Sequence, residues 1–202
     1  MPLADLLPRW LDLRDELEGV LVTLLAPFYA PFTYAEHQFA NLVQSAEAYH
    51  DARKKEFGTT DVSKPDHKER VKQVVAALDS AGLDADTTTW VRNVIQARND
   101  KPMWRKLNDV VAATGALGEE VVDWAPDFVG NLTQTRNKVS HGSATRQHVL
   151  TAEERHWHGQ VLLWVMRTRL LQDLGCADAD TRALENDVFQ FALEQLIGID
   201  TL

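Results

Sequence analysis

Phe39-Ala-Asn-Leu-Val-Gln-Ser-Ala-Glu-Ala-Tyr-His50 decides the fold class. Phe39, Leu42, Val43, Ala46 and Tyr49 recur at intervals of three and four, which lines one face of a helix; a half-buried strand alternates every second residue. The spacing predicts a helix from about Tyr34 to Lys55. Working outward, the same period repeats. Upstream, Leu13, Leu17, Val20, Leu21 and Leu24 form a buried stripe on a helix from Trp10 to Ala26, stopped by Pro27 and Pro31. Downstream, after a polar loop from Gly58 to Lys64, Ser63 and Pro65 start a helix that presents Val71, Val74, Val75 and Leu78 and ends at Gly82. Asp86 or Thr87 opens the next, through Trp90, Val91, Val94 and Ile95 to about Asn99, before the break at Pro102.

Met103 to Thr114 and Leu117 to Trp124 read as two shorter helices, separated by Gly115. Another segment runs from Pro126 or Asp127 to His141, with Gly142 as its stop. Thr151-Ala-Glu-Glu154 has capping-box spacing and opens a long helix rich in Trp157, Val161, Leu162, Trp164, Val165 and Leu170, closed by Gly175. Asp178 or Asp180 starts the last helix, with Leu184, Val188, Phe191, Leu193 and Leu196. Strand-like alternation is scarce, and no repeat or long linker divides the chain. Residues 1–202 are therefore expected to form one all-α domain, a helical bundle with flanking helices, in which the six tryptophans are mostly core.

The composition is that of an ordinary globular protein, with 45% hydrophobic and 25% charged residues. Cys176 is the one cysteine, so no internal disulfide is available and an oxidising compartment is not required. The longest nearly apolar stretch, Gly19 to Ala30, is too short to cross a bilayer. Asp5, Asp12 and Asp15 interrupt the place where a signal peptide needs an apolar core, so no membrane partner and a cytoplasmic location are expected. The formal charge of −9 argues against indiscriminate nucleic-acid binding. It is unevenly spread. Between Phe128 and Ala152 there is no acidic residue, and Arg136, Lys138 and Arg146 give that segment +3, leaving −12 on the remainder. Such a basic island can hold one or two phosphates; a chance gap in acidic residues is the plain alternative.

Gln134-Thr-Arg-Asn-Lys-Val-Ser-His-Gly142 carries the candidate chemistry. An arginine followed five positions later by a histidine is uninformative alone: with 13 arginines and 7 histidines, roughly one match to the looser pattern Arg-x4–6-His arises by chance. Its context is more specific, because Asn137 follows the arginine, Gly142 follows the histidine, and the segment ends a helix. Arg92-Asn93 and Arg98-Asn99 lack a histidine in range.

This segment resembles the signature of HEPN domains, and Phe39–His50 resembles the second-helix segment of the ApeA-like HEPN group, known from bacterial anti-phage defence. Their order and spacing fit as well. The resemblance implies a helical fold of four to five core helices that often dimerises and often cuts RNA. In that family the HEPN part usually follows an N-terminal domain. Met1 is therefore expected to begin either part of a longer protein, with a regulatory domain upstream, or a short stand-alone member.

RNA is cut without a metal when its own 2′-hydroxyl attacks the adjacent phosphate, leaving a cyclic phosphate and a free 5′-hydroxyl. That reaction needs a proton carrier near neutral pH, which suits imidazole, and cationic donors around a phosphorane gaining charge, which suits guanidinium. The expected roles are His141 as general acid or base, Arg136 as transition-state clamp and Asn137 as positioner, with no cofactor or metal. Lys138 supports the site, and Arg146 is a further RNA contact. On a regular helix Arg136 and His141 point about 140° apart. Either the helix end bends His141 round, or a homodimer sets two motifs across one cleft; the resemblance favours the dimer. The alternative to catalysis is a helix cap in which His141 meets terminal carbonyls and Arg136 makes an ion pair.

Glu47 and His50 have two readings. Glu47 holds the Arg136 fork if the second helix packs on the motif helix, with His50 in support; otherwise they are an exposed acid and a surface histidine. Glu47-x-x-His50 and Glu153-x-x-His156, with Glu16 or Glu18 and Glu119 or Glu120, also imitate a di-iron carboxylate site. Against that rival, Glu153 sits in a first helical turn and Glu119 and Glu120 in a short segment. His156 and His158 diverge on their helix and are expected at a surface or interface.

Overall fold

The computed structural model describes residues 2–29, 34–141 and 149–200, with the side chains of all of these except 141 and 197–200. Twelve helices and no strand occur among the described residues, so the fold is all-α. Contacts divide the chain into two compact units, residues 1–53 with 103–202 and residues 54–102. No repeat or long linker in the sequence marks either junction.

The larger unit is built around α3 (Ala35–Ala52), which packs against α2 (Glu18–Tyr29), α7 (Met103–Ala112), α9 (Phe128–His141) and α10 (Ala152–Asp173). Phe39, Val43, Ala46 and Tyr49 of α3 are buried, as the periodicity requires. They share the core with Leu107, Val110 and Val111 of α7, Phe128 and Leu132 of α9, and Val161, Leu162, Val165 and Met166 of α10. Each large side chain removed from water contributes about 1.5–3 kcal/mol, which holds the four helices together. The long helix α10 begins with a complete capping box: Thr151 Oγ1 accepts from the Glu154 N–H while the Glu154 carboxylate accepts from the Thr151 N–H. Against it also lie α11 (Ala179–Leu184) and α12 (Asp187–Asp200), with α8 (Ala116–Trp124) beside α11.

Four expectations need correction. The helix expected from Trp10 to Ala26 is two, α1 (Leu3–Glu16) and α2, meeting at Leu17. Leu17 leaves helical geometry (φ −112°, ψ 23°) yet stays buried, so burial spacing cannot reveal the break. Pro27 does not stop α2, which stays helical through Tyr29; the proline removes one backbone hydrogen bond without ending the helix. The last helix is interrupted at Glu185 and Asn186, where the Asn186 side chain accepts from the Val188 N–H at 3.0 Å. Val188 and Phe191 are exposed there, while Leu193 and Leu196 are buried. Finally, none of the six tryptophans is fully buried, and Trp90, Trp104 and Trp124 are exposed.

The smaller unit holds α4 (Lys54–Phe57), α5 (Lys64–Ser80) and α6 (Ala85–Gln96), with α5 packed on α6. Ser63 caps α5, as expected, and Asp84 caps α6, two or three residues before the predicted start. Around the helices, Thr60 and Asp100 form an isolated bridge, and the Asn99 amide donates to the Val62 carbonyl at 3.1 Å.

Candidate functional site

Helix α9 follows Pro126, whose fixed φ suits a helix start, and turns Phe128, Leu132 and Thr135 fully inward. Two contacts fix it against α10. The His158 ring stacks on Phe128 with centroids 5.6 Å apart and planes within 10°. Its Nδ1 donates to the Glu154 carbonyl at 2.8 Å, so His158 is a buried packing residue and not a surface one; His156 is exposed as expected. The second contact lies one residue before Arg136. Thr135 Oγ1 accepts from the Leu150 N–H at 3.1 Å, and the Leu150 carbonyl accepts from Arg155 at 2.8 Å.

With Thr135 inward, Arg136 falls at the edge of the buried face, where α9 meets α3. Its side chain is 23% exposed and faces Glu47, with Nη2 and Oε2 3.8 Å apart. That is an ion pair, too long for a hydrogen bond. The other Glu47 oxygen lies 3.4 Å from Lys106 Nζ, and Lys106 is bonded to Asp51 at 2.7 Å. Next to them His50 is buried, with Nε2 3.1 Å from Asp109 and Nδ1 3.4 Å from Asp51. Arg136, Glu47, Lys106, Asp51, His50 and Asp109 thus form one continuous polar chain across α9, α3 and α7. Burial pulls the Lys106 ammonium down, but its hydrogen bond to Asp51 and the charges of Asp51 and Glu47 outweigh that and raise its pKa.

Of the two readings for Glu47 and His50, the surface histidine is excluded, since His50 is 1% exposed, and Glu47 does lie beside Arg136. Asn137 is half-buried and Lys138 exposed. The backbone stays helical through His141. The His141 side chain, Gly142 and Arg146 lie outside the described residues, and with them the expected meeting of His141 and Arg136. Lys106, Asp51 and Asp109 were missed by the sequence analysis. Their signal was faint: Lys106 and Asp109 are polar residues three apart flanking the apolar face Leu107, Val110 and Val111, and Asp51 lies four after Glu47.

The di-iron arrangement does not form. Among the described residues no three or more His, Cys, Asp or Glu side chains converge as metal ligands. Glu47 is held by two cations, Glu16 pairs with Arg53 at 2.6 Å, and Glu119 and Glu153 are exposed.

Comparison with curated proteins and with solved structures returned no match. A family model does match: Apea-like HEPN, over residues 40–180. That span takes in most of α3 and all of α7 and α9, the three helices that carry the polar chain, and most of the protein. The chain belongs to the Apea-like HEPN family.

Proposed function

We propose that this protein is a metal-independent endoribonuclease of bacterial anti-phage defence, an abortive-infection type of enzyme working as a homodimer in the cytoplasm. The observation that supports it is the state of Arg136: partly exposed on an acid-free helix, oriented by a carboxylate at ion-pair distance but not hydrogen-bonded to it. Its N–H fork keeps donors for a phosphate while Glu47 limits its wandering.

In the proposed reaction the RNA 2′-hydroxyl attacks its own 3′-phosphate. His141 takes that proton or supplies one to the departing 5′-oxygen. Arg136 stabilises the charge that grows on the phosphorane, Asn137 orients the phosphate or the imidazole, and Lys138 and Arg146 hold neighbouring phosphates. Two motifs across a dimer cleft supply both faces of the reaction. No described helix is long and apolar enough to cross a membrane. An upstream regulatory domain remains part of the same proposal.

The test is incubation of purified protein with single-stranded RNA in EDTA, beside Arg136→Ala and His141→Ala. EDTA-resistant cutting is expected to leave cyclic-phosphate and 5′-hydroxyl ends, and to fall by 100-fold or more, on the order of an oxyanion-hole loss, in either variant. Cutting that is metal-dependent, or unchanged in both variants, refutes the assignment. A second reading, a non-cutting HEPN module that binds RNA or a partner, draws on the half-burial of Arg136 beside Glu47, which also suits a structural ion pair. RNA bound but not cut supports that reading.

A further inference from the structure

We propose that Lys106 is a positioning residue that keeps Arg136 available by sharing Glu47 with it; this rests on the reading of Arg136 as the phosphate clamp. Two cations face one carboxylate. Lys106 approaches Oε1 at 3.4 Å and Arg136 approaches Oε2 at 3.8 Å. Lys106 has the better-buried side chain, 15% exposed against 23% for Arg136, and it is anchored on its far side by Asp51 at 2.7 Å.

The consequence follows from competition for charge. A carboxylate alone with an arginine closes into a two-bond fork at about 2.7–2.9 Å. Such a fork holds two of the five guanidinium N–H groups and cancels much of the charge that a phosphate needs. Here the Lys106 ammonium already offsets part of the Glu47 charge, and Arg136 stands off by about an ångström. Glu47 then aims the guanidinium without capturing it.

The anchor is itself held in place. Asp51 bonds Lys106 through Oδ2 and faces His50 Nδ1 through Oδ1 at 3.4 Å, while His50 Nε2 faces Asp109 at 3.1 Å. His50 is buried, so Asp51, one residue along α3, has a fixed neighbour on its inner side. Lys106 and Asp109 both stand on α7, and Glu47, His50 and Asp51 on α3. The α3–α7 contact is therefore what sets how tightly α3 grips the arginine of α9.

The test uses the full chain with Lys106→Met, Lys106→Arg, Glu47→Gln and the double variant Glu47→Gln/Lys106→Met. The readout independent of activity is rotation of the Arg136 guanidinium about its Nε–Cζ bond, followed by nitrogen-15 NMR and assigned with Arg136→Lys. Lys106→Met is expected to slow that rotation and to lower kcat for RNA cutting on the order of tenfold. Lys106→Arg keeps both, and removing the Glu47 charge in the double variant restores both. A merely structural lysine shows the opposite pattern, with no rescue on losing Glu47. Unchanged rotation in Lys106→Met, or a defect that the double variant does not relieve, overturns the inference. Should Lys106→Met fail to fold, Lys106→Gln takes its place. If the wild-type chain cuts no RNA while the rotation responds as expected, the nuclease reading fails and the positioning role stands.

Discussion

Replacing Thr135 by valine tests whether the motif helix is tied down where the structure says it is. Thr135 is 0% exposed, and its hydroxyl accepts from the backbone N–H of Leu150, itself 2% exposed, at 3.1 Å. Valine has the same shape and similar helix propensity, so the change removes the acceptor and little else. The Leu150 N–H is left buried without that partner, which costs about 1–3 kcal/mol. For a chain of 202 residues a central value of about 2 kcal/mol lowers Tm by about 4–8 °C. The assay is urea denaturation followed by circular dichroism, in which the midpoint falls while the slope is unchanged. Thr135→Ser keeps the hydroxyl and loses one buried methyl, about 1 kcal/mol, so it should fall between wild type and Thr135→Val. A valine variant within about 0.5 kcal/mol of wild type, the ordinary scatter for a neutral change, refutes the reasoning. So does a serine variant less stable than the valine one.

Two more outcomes follow from the same helices. Phe128→Ala removes a side chain that is 1% exposed and stacked on His158, and is expected to lower stability by about 3–5 kcal/mol in the same urea assay, with Phe128→Leu much milder. Tyr49 is pushed up to about 12 by burial and by the charge of Asp173, whose carboxylate accepts from its hydroxyl at 2.8 Å. The folded state prefers the protonated phenol, so this contribution is complete below about pH 10 and is lost as pH rises through about 12. Stability measured between pH 9 and 12 should fall more steeply in the wild type than in Tyr49→Phe; parallel curves count against it.

Local sequence rules carried the reading furthest where the physics is local. Val20, Leu21 and Leu24 are buried together on α2, because a 3.6-residue period puts those side chains on one side whatever they pack against. Ser63 and Thr151 cap helices because their partners lie three residues away. Gly82, Gly115 and Gly175 all sit at positive φ beyond a helix end. The rules failed where an outcome depends on what the rest of the chain brings. Val188 and Phe191 fit the helical period yet face out, since a break at Asn186 reset the phase. His158 diverges from His156 on its helix and is expected at a surface or interface, yet it is buried with its ring stacked on Phe128, thirty positions earlier.

The sequence by itself determined the all-helical class, the caps at Ser63 and Thr151 and the family motif, because these rest on interactions within a few residues along the chain. Only the tertiary structure decided that Arg136 answers to Glu47, that Glu47 is shared with Lys106, and that His50 is buried between Asp51 and Asp109. The Lys106 and Asp109 partnerships with α3 span 55 to 59 positions and depend on which faces of α3 and α7 touch. Helix packing chooses those faces by fitting apolar side chains, and the charges at their edges meet as a result.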